Sequence, residues 1–137
     1  MSKRIGKYKV SKREDLLSLA NGGTIDGKMV WGSETLTEDG DAANPNIPIT
    51  IMDHDGDEGI TLADGTEVGQ LKIFISSTNN TVTLTPATTA GAYSTIATTD
   101  IGTSFSCVWT GDGWAVISRA SGATANASTV ASYPVLA

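Results

Sequence analysis

From Ile25 onward one pattern governs the chain. Runs rich in Ile, Val, Thr and aromatic residues recur about every ten residues, divided by Gly, Asp, Asn or Pro. β-Branched and aromatic side chains suit a pleated, half-buried surface, and the dividing residues are those that turns require. A helix would show apolar residues three and four apart over ten or more positions, and that period is missing from this part of the sequence. Strands are expected at residues 28–31, 47–52, 59–62, 68–76, 81–85, 93–96, 104–109 and 113–118. Short strands at such regular intervals predict an all-β fold, either an antiparallel β-sandwich or a jelly-roll-like barrel.

The stretch SFSCVWTGDGWAVIS displays the alternation directly. Phe105, Cys107 and Trp109 share one face; after the Gly111-Asp112-Gly113 turn, Trp114 and Val116 also lie on one face, giving a hairpin with one buried side. In TVTLT, Val82 and Leu84 alternate with threonines that suit a solvent or inter-subunit face. Residues 33–46, SETLTEDGDAANPN, read as a polar loop. Residues 121–137 read as an extended tail of small residues whose final VASYPVLA wants a surface to lie on.

Charge divides the chain unevenly. Lys3, Arg4, Lys7, Lys9, Lys12 and Arg13 are six of the nine basic residues, so with Glu14 the first 14 residues carry +5 and the remainder −11. Ile5, Tyr8 and Val10 are interleaved with these charges, as in an extended segment that lays apolar side chains on a surface ringed by carboxylates. A docking arm is expected rather than a nucleic-acid arm, because phosphates would repel the acidic body. Behind it, Ser11 and Glu14 stand at capping-box spacing ahead of Leu16, Leu17, Leu19 and Ala20, and Asn21-Gly22-Gly23 supplies a stop. One short helix is expected there, needing the body or a partner to pack on. The expected organisation is an arm and helix over residues 1–23, a β domain over 24–120 and a tail over 121–137.

Catalytic chemistry fails on inventory. One His and one Cys stand dozens of residues apart, and Cys107 alternates onto the apolar face, where it behaves as a small hydrophobe. The glycines punctuate turns and form no phosphate loop or nucleophile elbow. A lone cysteine forms no intramolecular disulfide, and neither an apolar leader nor a membrane-length apolar run occurs, so a soluble chain folded in a reducing cytosol is expected. No enzyme, cofactor or membrane partner is expected.

One stretch imitates a metal site. In DHDGDEGITLAD, Asp53, Asp55, Asp57 and Asp64 fall at positions 1, 3, 5 and 12 of a calcium-binding loop. Position 6, which must turn sharply and calls for glycine, is Glu58, and Asp64 is shorter than the bidentate Glu such a loop uses. The competing reading is an acidic hairpin turn between residues 47–52 and 59–62, with His54 an exposed loop residue.

The order IPITIMD, GITLADGTEVGQLKIFIS, NNTVTLTP and then SCVWTGDGWAVIS resembles a β domain of structural proteins in tailed bacteriophages, marine and cyanobacterial ones especially. The likeness covers residues 47–118, roughly half the chain, and the opening MSKRIGKYKVSKRE is similar to the basic start of small proteins in such phages. The resemblance implies a non-enzymatic, homotrimeric virion structural protein, made in the host cytoplasm. The first expectation is a capsid decoration (cement) protein on the outer surface of the capsid. Lys3, Arg4, Ile5, Lys7, Tyr8, Lys9, Val10, Lys12 and Arg13 would then dock on the major capsid protein or another virion protein. The alternative is a head-fibre, tail-fibre or tail-associated module whose β domain binds host-surface glycans, for which Trp31, Tyr93 and Tyr133 are the aromatics left uncommitted by the core pattern.

Overall fold

The computed structural model describes Lys28, residues 30–120 and residues 134–137. The chain divides after Val30 into two units, and the folded domain is Trp31–Ala137. The basic arm, the expected helix and most of the expected tail lie outside the described residues.

Ten strands follow one another: β1 (Ser33–Leu36), β2 (Ala42–Ala43), β3 (Ile49–Met52), β4 (Glu58–Leu62), β5 (Leu71–Ser76), β6 (Val82–Pro86), β7 (Ile96–Thr98), β8 (Ser104–Trp109), β9 (Trp114–Ala120) and β10 (Val135–Leu136). They form two five-stranded sheets, a front sheet in the order β1-β3-β5-β8-β9 and a back sheet in the order β10-β7-β6-β4-β2. The all-β sandwich expected from the sequence is present. Its sheets are mixed rather than antiparallel throughout, because the first six strands alternate between front and back. Strands β1, β3 and β5 therefore pair in parallel in the front sheet, and β2, β4 and β6 do so in the back sheet. The chain winds as a flattened coil. Ile49 pairs with Ile73 and Glu58 with Val82, a step of 24 residues in both sheets. The expected hairpin between residues 47–52 and 59–62 is thus an arch that carries the chain from one sheet to the other.

From β7 the winding stops. Strand β7 turns back antiparallel to β6, β8 antiparallel to β5, and β9 closes the expected hairpin on β8. The end of the tail does find a surface, since Val135 and Leu136 pair with Ala97 and Ile96 at the edge of the back sheet. Two other expectations fail. Lys28, Val30 and Trp31 are outside any strand, and the polar stretch at residues 33–46 contains β1 and β2.

Period-two alternation builds the core. Met52, Phe74, Phe105, Cys107, Trp109 and Trp114 from the front sheet face Ile60, Leu62, Val82, Leu84 and Ile96 from the back. Phe74 stacks on Phe105 with centroids 4.8 Å apart, and Trp109 meets Trp114 edge-on at 5.5 Å. The Trp114 indole N–H donates to the Ala63 carbonyl at 2.9 Å, so its polar edge is satisfied inside the sandwich. Gly113 brings Trp114 close enough to bridge Thr89, and a Cβ there would sit 2.4 Å from the Thr89 carbonyl carbon.

One inward position breaks the apolar rule. Lys72 of β5 is fully buried, and its ammonium donates to Glu34 Oε1 at 2.8 Å, the Asn44 carbonyl at 2.8 Å and the Ile47 carbonyl at 2.7 Å. Three donors meet three acceptors, which is what makes a charge tolerable in such a place. Glu34 also accepts from the Thr50 hydroxyl at 2.6 Å and from the Asn44 N–H at 3.0 Å. The pair thus ties β1, the β2–β3 corner, β3 and β5 into one stack. Burial presses the Lys72 ammonium below its usual range, and the hydrogen bond and charge of Glu34 oppose that shift.

Candidate functional site

A flattened coil has two corners, and here they differ in chemistry. At one end lie residues 37–41, 53–57, 77–81 and 99–103, which join strand ends of the two sheets. They carry Glu38, Asp39, Asp41, Asp53, Asp55, Asp57 and Asp100, and no Lys or Arg.

Most of these carboxylates hold backbone together. Asp41 Oδ2 accepts from the N–H groups of Thr37 and Glu38 at 3.1 Å each, Asp39 Oδ1 from Gly59 N at 2.9 Å, and Asp57 Oδ1 from Thr81 N at 2.7 Å. Asp53 Oδ1 accepts from the Ser77 hydroxyl at 3.0 Å. These bonds supply the arches with acceptors for N–H groups that no ladder satisfies. His54, expected to be exposed, is 3% exposed, with Nδ1 2.5 Å from Glu58 Oε2 and its carbonyl accepting from Asn80 Nδ2 at 2.8 Å.

The four candidate calcium ligands are not brought together. Asp53, Asp55 and Asp57 precede β4 while Asp64 follows it, and five extended residues span about 17 Å. Asp64 Oδ2 instead accepts from the Thr88 hydroxyl at 3.1 Å. Among the described residues no group of three or more His, Cys, Asp or Glu side chains is placed to hold a metal ion.

The other end is apolar. Here a cleft of about 670 Å³ is lined by Trp31, Pro45, Asn46, Pro48, Val68 and Gln70, with Thr66, Glu67, Gly69 and Leu71 completing it. Trp31 is 51% exposed and Val68 75% exposed. Gln70 rivets the floor, donating to the Pro45 carbonyl at 2.5 Å and to Asn46 Oδ1 at 3.1 Å while accepting from Thr66 N at 2.9 Å. Trp31 is the first residue of the domain, so the chain enters the β fold at this end.

The remaining reactive groups belong to the core. Burial pushes the Cys107 thiol up to about 12. The Tyr93 hydroxyl donates to the Trp114 carbonyl at 2.7 Å and accepts from Val116 N at 3.1 Å, so this aromatic is committed to the fold, while Tyr133 lies outside the described residues. The arm residues Lys3 to Arg13 lie outside them as well.

No protein-family model matches the chain, and no curated protein matches it.

Proposed function

We propose that this chain is a virion structural protein of the capsid-decoration type, non-enzymatic and self-associating as a homotrimer. Its basic arm grips the major capsid protein or another virion protein on the outer surface of the particle. The observation that carries the reading is the polarity of the domain. The sequence that bears the arm joins the β fold at the apolar Trp31 end, and the carboxylates gather at the opposite end. A body charged like this one would be held off an acidic shell, and an arm of +5 supplies the attraction the body lacks. The acidic end then projects away from the attachment surface into solvent.

The test is deletion of residues 1–12 and measurement of binding to virions of the encoding phage stripped of their outer proteins. Binding should be lost while the thermal transition of the β domain stays where it was. Undiminished binding of the truncated chain overturns the reading.

A second reading is favoured by one specific observation. A half-exposed indole at the edge of a cleft, with a carboxylate and a carboxamide beside it, has the elements that stack and hydrogen-bond a pyranose ring. In that reading the chain is a fibre or tail-associated module. Trp31→Ala would abolish retention on immobilised host-surface glycan and leave particle binding through the arm intact.

A further inference from the structure

The outward rows of the front sheet carry no ionisable side chain. Across β1, β3, β5 and β8 they read Ser33–Ile49–Ile73–Ser106 and Thr35–Ile51–Ile75–Ser104. Four isoleucines thus form a square on the two middle strands, framed by serine and threonine. None of them belongs to the core cluster; Ile75 is 36% exposed, and the other three are half-buried. The outward rows of the back sheet differ, running Gly59–Thr83–Ala97 and Thr61–Thr85. A sandwich sheet that meets only water alternates apolar-in with polar-out, as the back sheet does, and the front sheet breaks that rule at its centre.

Charge identifies what covers the isoleucines. Beyond residue 14 the chain carries −11, so two copies repel each other wherever carboxylates face carboxylates. The outer face of the front sheet is broad and uncharged. It can approach its own image without bringing like charges together, and sheet-on-sheet packing is what twisted, β-branched faces do well. We propose that copies of this chain meet through the outer face of the front sheet, with Ile49, Ile51, Ile73 and Ile75 at the centre of the contact. This deepens the self-association included in the decoration reading and rests on that part of it.

The full chain is examined by sedimentation velocity from micromolar to millimolar concentration, alongside Ile73→Lys, Ser106→Glu and the back-sheet control Thr83→Lys. The unaltered chain should form a defined oligomer. Ile73→Lys and Ser106→Glu should each raise the dissociation constant by about thirtyfold or more, the size of a hot-spot loss, while Thr83→Lys leaves it unchanged. Ser106→Glu sits on a serine row of the face and carries the test if Ile73→Lys fails to fold. Any oligomer dissolved by the front-sheet variants and indifferent to the control supports the interface. A chain that stays monomeric throughout, or an oligomer unmoved by both front-sheet variants, overturns it. Stripped-virion binding fails separately: loss of that activity with the oligomer intact would remove the decoration reading and leave this interface standing.

Discussion

Glu34 and Lys72 stand on β1 and β5, with β3 lying between them, and meet at 2.8 Å inside the sandwich. The ammonium is fully enclosed and the carboxylate nearly so, with side-chain exposures of 0% and 15%. Breaking such a pair from one side leaves a charge in the core. Glu34→Ala should therefore lower the unfolding free energy by about 3–5 kcal/mol. Glu34→Leu combined with Lys72→Met should recover most of that loss, because apolar groups of similar volume need no partner. Urea titrations of the single and double variants decide it, and an equal loss in both would show that the pair adds net stability.

Cys107 gives the protein an alkaline limit. In the unfolded chain an exposed thiol ionises near about 8.5, whereas in the fold burial holds it protonated up to about 12. Between those values the unfolded state binds fewer protons than the native state, so stability falls as pH rises, by about 1.4 kcal/mol per pH unit from this group. Below that window the thiol contributes no pH dependence. Cys107→Ala should remove that component of the slope, which equilibrium unfolding at a series of pH values above 8 would reveal.

Gly113 is required by its neighbours rather than by its backbone. A methyl group there meets Thr89 backbone at 2.4 Å, and Thr89 is held by its bridge to Trp114. Gly113→Ala should cost about 2–4 kcal/mol by prying that contact open. A changed near-UV spectrum from the Trp109–Trp114 pair would accompany the loss, and an unaltered melting temperature would contradict it.

Calcium should leave the protein unmoved. Asp53 and Asp57 already accept hydrogen bonds at 3.0 Å and 2.7 Å, and Asp64 stands at the far end of β4. Millimolar calcium is expected to give no shift in melting temperature. A rise of several degrees that disappears in Asp55→Asn would establish a site.

The antiparallel half of the fold was legible in the sequence because its partners are neighbours in the chain. Phe105, Cys107 and Trp109 alternate, a glycine turn follows, and Trp114 and Val116 return, so local pattern and final pairing agree. The wound half was not legible in the same way. Strands β3 and β4 each show period two, and that period is the same whether the next strand pairs in the same sheet or crosses to the other. The missed signal was longer in range: ITIMD against IFISS, and GITLA against TVTLTPA, recur at the 24-residue step that Ile49–Ile73 and Thr61–Thr85 keep in the structure. Strand β1 was hidden for another reason. Its inward residue is Glu34, and only the equally misplaced Lys72 in LKIFIS makes a carboxylate belong there. Of the candidate sites, Trp31 was singled out by its absence from any alternating run, while the cleft beside it needed corners distant in sequence to be brought together.

The equal step between successive turns also makes length a discrete quantity in this molecule. Duplicating residues 47–70 in tandem would add one front strand and one back strand together, in register with those before and after, since both sheets advance by the same 24 residues. An insertion of any other size would have to bulge out at a corner, on the acidic side or the apolar one. Strands β7 to β10, which reverse direction, act as a stop that fixes where the winding ends. A lineage of such chains is therefore free to grow taller by whole storeys, keeping the foot and the roof unchanged.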